Sequence, residues 1–167
     1  MKHLVLTTVL GILIFSTAGI AAPQKSLNRD DLMAELTGKS VAKMSDSGLY
    51  AEIVSAYQAQ DSLALQARLQ TLLKRYPQSE YADNALYLAG RNAMEHKNYA
   101  GALKYFSKVK ELYPNGNKVV SSQFAKAMTY RKMNLNSLAK DVLVTVKKKY
   151  PGSPEAFRAD GEIKQLR

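Results

Sequence analysis

Apolar and polar residues follow one another along this chain in three similar blocks, each divided by a short polar break. In the central block Leu86, Ala89, Gly90 and Ala93 fall on one helical face. The polar triplet His96-Lys97-Asn98 interrupts the pattern. Ala102, Leu103, Phe106, Val109 and Tyr113 then line one face of a second helix. Asn98 is placed to cap that helix, because its side chain can accept from free N–H groups in the first turn. Pro114 bars continuation, and Asn115-Gly116-Asn117 makes a turn. The first block repeats the pattern with Ile53, Ala56, Leu65, Leu69 and Leu72. The third does so with Ala127, Tyr130, Ala139, Leu143 and Val146.

Each block closes on Tyr-Pro, at 76–77, 113–114 and 150–151, so the interval is 37 residues both times. The stretches 49–77, 86–114 and 123–151 superpose without a gap. A fixed period in this range signals stacked repeats, against the competing reading of a generic helical bundle. The small residues have a physical task. Gly90 and Ala127 occupy equivalent places in the first helices, and Ala102 and Ala139 in the second. At most one methyl there lets two helix backbones approach, while Phe106 and Leu143 fill the space beside them.

The pattern therefore predicts an all-α fold, with the repeats over 49–167. From Ser153, an N-cap followed by Pro154 at the first helical position opens a last helix. Its stripe of Ala156, Phe157, Ile163 and Leu166 suits a terminal cap on an open stack; a partner-binding tail is the competing reading.

The N-terminal residues are of another kind. Lys2 precedes an apolar run over 4–15, and small residues follow, with Gly19 and Ala21 at the spacing a signal peptidase reads. The expectation is a secretory signal over 1–21, cut after Ala21 or Ala22; an uncleaved anchor is the alternative. Residues 22–48 read as a polar linker or N-terminal lid. Within them SLNRDDLMAEL can form a short helix, with Leu32, Met33 and Leu36 on one face.

Composition changes the picture in two ways. The chain has no Cys, which excludes disulfides and thiolate metal sites. Charge is uneven. Residues 23–96 carry 8 basic and 9 acidic side chains, a net −1, whereas residues 97–167 carry 15 and 5, a net +10. Behind a secretion signal this points away from nucleic acid. Lys104, Lys108, Lys147, Lys148 and Lys149 are candidates for an anionic membrane surface or envelope polymer, or for a merely solubilising face.

Candidate chemistry is sparse. His96 stands alone in a polar turn, no Ser is framed as a nucleophile elbow, and no Gly-rich loop precedes a helix. Asp30-Asp31 suits a helix start. Neither an enzyme nor a bound cofactor is expected.

Leu86, Ala89, Gly90 and Ala93, followed by Ala102, Phe106, Val109 and Pro114, resemble a tetratricopeptide repeat. That resemblance implies a right-handed solenoid of about three such helix pairs plus the capping helix. It also implies a concave inner face lined by the first helices. Position by position, that face would carry Tyr50, Val54 and Tyr57, then Asn84, Tyr87, Arg91 and Met94, then Phe124, Met128, Arg131 and Lys132. Aromatics there give stiff contact area and Arg gives forked donors; the competing reading is that Tyr87 and Phe124 pack between repeats. YPQSEYADNALYLAG and YPGSPEAFRADGEIKQL are similar to the C-terminal repeat domain of the exported coordinator of the Tol–Pal envelope system, over Leu49 to Arg167. Repeats of an outer-membrane assembly lipoprotein are similar too. These resemblances imply a periplasmic, non-catalytic scaffold that grips a protein or peptide segment of the cell envelope in its groove.

Overall fold

The computed structural model describes residues 44–166. The secretory signal expected over 1–21 and the helix expected in SLNRDDLMAEL lie outside the described residues. Ser40–Arg167 forms one compact unit. Among the described residues it holds seven α-helices and no strand: α1 Asp46–Gln58, α2 Ser62–Arg75, α3 Ala82–Glu95, α4 Tyr99–Leu112, α5 Val119–Lys132, α6 Asn136–Lys149 and α7 Pro154–Gln165. Each helix packs on its successor. The first helices of successive pairs also touch, α1 on α3, α3 on α5 and α5 on α7. This is the stacked helical repeat that the 37-residue period demands.

The first helices run parallel. Tyr57, near the end of α1, donates to Glu95 at the end of α3, at 2.7 Å. Ser121 and Glu155 meet at 2.6 Å near the starts of α5 and α7, and Arg131 and Glu162 pair near their ends.

Three sets of buried side chains form the core in series: Leu49, Ile53, Leu69, Leu72, Leu86 and Val109 towards the first repeats, Ala93, Ala102, Phe106 and Ala125 in the middle, and Ala127, Ala139, Leu143 and Ala159 towards α7. Among the described glycines, Gly90 leaves the least room for a side chain, because the Phe106 ring lies against it. A Cβ at Gly90 would lie 2.4 Å from Cε1 of that fully buried ring. The third repeat places Ala127 and Leu143 at these positions, and the first Ile53 and Leu69. Where the first helix gives up a side chain, the second supplies a larger one.

The connections repeat as faithfully as the helices. Between the helices of a pair, Gln60, Lys97 and Asn134 all adopt left-handed backbone, with φ of 56°, 60° and 60°. The amide three residues beyond the first helix bonds back across the turn each time, Asp61 to Ala56, Asn98 to Ala93 and Leu135 to Tyr130. Asp61 and Asn98 then cap the second helix, accepting from Ala64 N at 2.9 Å and Gly101 N at 3.0 Å. Leu135 occupies the third such position and offers no side-chain cap.

The Tyr-Pro pairs end the second helices. Tyr76, Tyr113 and Tyr150 share one backbone conformation, with φ near −132° and ψ between 55° and 62°. This lies outside the α region, which a following proline disfavours. Their rings pack against the first core set, and two hydroxyls reach back, Tyr76 to the Met44 carbonyl and Tyr113 to the Pro77 carbonyl, both at 2.9 Å. After Tyr113 the chain folds over the buried carboxylate of Asp83, which accepts from the backbone N–H groups of Asn84 (2.7 Å) and Lys118 (3.0 Å). Gly116 is needed here, since a Cβ would lie 2.5 Å from Asp83 Oδ2. At the ends of the unit, Ser45 caps α1, so the last residues of KSVAKMSDSG enter the first helix. Ser153 caps α7 with Pro154 in its first turn, as the sequence predicts.

Two substitutions test this account by urea unfolding. Gly90→Ala should cost about 1–3 kcal/mol through overpacking, despite the better helix propensity of Ala. Adding Phe106→Leu, which copies Ala127 and Leu143, should recover much of that loss. Leu135→Asn, which copies Asn98, should raise stability by about 1 kcal/mol by supplying the missing cap.

Candidate functional site

The first helices present one face each to a shared hollow of about 330 Å³. From α3 come Tyr87, Arg91 and Met94, at the i, i+4, i+7 spacing that keeps side chains on one side of a helix. From α5 come Ser121, Phe124, Ala125 and Met128, and from α7 Glu155 and Arg158. The hollow is thus built from three parallel helices and is apolar at its base, with charge around it.

Phe124 is 4% exposed and belongs to the core set near α7, so it packs between repeats and serves the hollow as its floor. The Arg158 guanidinium lies over this ring at 4.4 Å, a cation–π contact that holds it at the hollow. Tyr87 is half-buried, its ring 5.9 Å from that of Phe106. Glu155 is held by the Ser121 hydroxyl, which donates to it at 2.6 Å.

One side of the hollow is stiffened by three polar groups. Arg91 pairs with Glu95 at 3.0 Å and lies 5.5 Å from the centre of the Tyr57 ring. The Tyr57 hydroxyl donates to the same Glu95 carboxylate. Burial, and next the hydrogen bond to Glu95, push Tyr57 from its ordinary value of 10.0 up to about 12, while Arg91 pulls the other way.

Of the residues expected on the inner face, the structure brings together Tyr87, Arg91, Met94, Phe124 and Met128, with Tyr57 attached through Arg91. The others lie outside the hollow. Tyr50 stacks on Tyr81 with ring centres 5.0 Å apart. Asn84 donates its side-chain amide to Asp83 at 3.1 Å. Arg131 pairs with Glu162 of α7, and Lys132 is exposed as the last residue of α5. Val54 is half-buried on α1.

Ser121, Ala125, Glu155 and Arg158 were not expected. The period could have found Arg158, because two steps of 37 residues from Asn84 reach Ser121 and then Arg158.

The five candidate lysines are on the second helices. Lys104 is exposed and Lys108 half-buried on α4. Lys148 and Lys149 are exposed in the last turn of α6, where positive charge suits the helix dipole, and Lys147 pairs with Asp160. His96 is exposed, with Nδ1 2.9 Å from the Asn92 carbonyl oxygen.

Residues 84–116, which run from α3 through α4 into the following connection, match the family model described as tetratricopeptide repeat. No curated protein matches the chain. The match supports a tetratricopeptide-repeat protein. Such repeats commonly bind protein partners and are typically non-catalytic scaffolds.

Tyr57 offers a direct check on the polar trio. Its raised pKa means that its contribution to stability is present below pH 10 and is lost as pH rises towards about 12. The tyrosinate absorbance difference between the wild type and Tyr57→Phe should therefore contain a step near 12, well above that of an ordinary phenol.

Proposed function

We propose that this protein is an exported, non-catalytic scaffold that holds a segment of another cell-envelope protein in the hollow formed by α3, α5 and α7. The observation that carries this reading is the convergence of Tyr87, Met94, Phe124 and Met128 with Arg91 and Arg158 in one open site. Aromatic and thioether side chains give an adaptable apolar floor. Guanidinium groups beside it supply directed donors for a partner's carboxylates and carbonyls.

Export is proposed from the apolar run over 4–15 and the small residues after it. The resemblance to the repeat domain of the Tol–Pal coordinator supports a periplasmic role in coordinating envelope assembly or division. The stack itself suits holding rather than chemistry, since the carboxylates at the hollow are already engaged, Glu95 by Arg91 and Tyr57 and Glu155 by Ser121.

The test is affinity purification from crosslinked cells, followed by washing at high salt. Contacts sheltered in the hollow should survive the wash, whereas contacts between exposed charges are screened. Arg91→Ala combined with Met128→Glu should abolish recovery of the partner while the helical circular dichroism is retained. Recovery of the same partner by the folded variant would refute the assignment.

A further inference from the structure

The turn between α5 and α6 breaks a local rule that the other two repeats obey. Asp61 and Asn98 cap their helices, and small residues, Ala64 and Gly101, follow three positions later. In the third repeat both positions are leucine. Leu135 is 40% exposed and Leu138 46% exposed, so neither is recovered as core. Met133, at the end of α5 in the same turn, is only half-buried. The chain here gives up a helix cap and places apolar side chains in water, where polar ones would stabilise the fold.

The surroundings of these leucines are cationic. Lys132 precedes the turn and Lys140 follows it, both exposed. Because α7 runs parallel to α5, the end of α7 with exposed Lys164 lies on the same edge of the stack. None of these three lysines has a carboxylate partner among the described residues. Glu162, the acidic residue of α7 nearest this end, is already paired with Arg131. Asp141, one residue beyond Lys140, is the nearest carboxylate along α6.

An apolar tip with a rim of lysines matches the layered chemistry of an anionic bilayer. Leucines enter the boundary of the acyl chains, and lysine stems lie along them with the ammonium groups at the phosphates. We infer that the α5–α6 turn is a membrane-surface contact, with Leu135 and Leu138 inserting into a bilayer of anionic phospholipid. No helix among the described residues is long and apolar enough to cross a membrane, so the contact is peripheral. It uses neither the hollow nor the lysine run at the end of α6, and it holds or fails independently of the scaffold reading.

Residues 40–167, the compact unit with its own core, serve for the test, since they lack the apolar run over 4–15. Co-sedimentation with vesicles of phosphatidylglycerol mixed into phosphatidylcholine should show binding, with much less on phosphatidylcholine alone. Leu135→Asn with Leu138→Ala leaves the net charge unchanged and should lower the partition coefficient by about tenfold. The urea midpoint of Leu135→Asn should meanwhile rise, so lost binding cannot be ascribed to lost folding. Lys132→Gln and Lys140→Gln should each weaken binding by roughly fivefold. The inference is overturned if the unit does not bind anionic vesicles. It is also overturned if the leucine pair can be replaced without effect, or if only Lys147→Gln, Lys148→Gln and Lys149→Gln together release the protein.

Discussion

The structure depends on how closely two helix backbones can approach within a pair. At Gly90 the approach is so near that the Phe106 ring occupies the volume a side chain would fill. Interiors are packed to crystal density, so volume released on one helix must be taken up on its neighbour. The third repeat reaches the same end with Ala127 and Leu143, and the first with Ile53 and Leu69. Residue identity changes from repeat to repeat, while the pairing of volumes keeps the first helices in parallel array. That array is what gives the hollow three walls.

Much of this was legible along the chain because it is periodic. Helix faces repeat at the turn of the helix, and whole pairs at 37 residues. Asn98, Ser153 and Pro154 were legible as helix starts because capping is a local matter, decided within four residues. The partners of polar side chains were not. Asn84 has the chemistry to bind a peptide backbone, yet it turns to the adjacent Asp83, whose burial follows from the path of a connection more than thirty residues later. Arg158 was passed over for a different reason. A terminal helix read as a cap was not carried into the groove, although the 37-residue period sets Arg158 two steps after Asn84.

The terminal helix is accordingly more than a plug. Its Ser121–Glu155 and Arg131–Glu162 contacts fasten it at both ends of α5, and between them Arg158 lies on the Phe124 ring. Each contact is modest, and the exposed ones are weakened by salt. Together they fix the helix in register with the repeat before it. The hollow and the cap are thus one construction, and a change in the docking of α7 alters the shape of the site.

The tyrosine hydroxyls at the ends of α2 and α4 carry a mechanical implication. Tyr76 latches onto the Met44 carbonyl just ahead of α1, and Tyr113 onto the Pro77 carbonyl that follows the preceding repeat, so the second rung is strapped to the first beyond its apolar contacts. The Tyr150 hydroxyl has no such latch among the described residues. There the strap passes to other groups, the Lys118 N–H on the Asp83 carboxylate and the Lys126 ammonium on the Ser107 hydroxyl, so the last rung is tethered through charge where the second is tethered through a phenol.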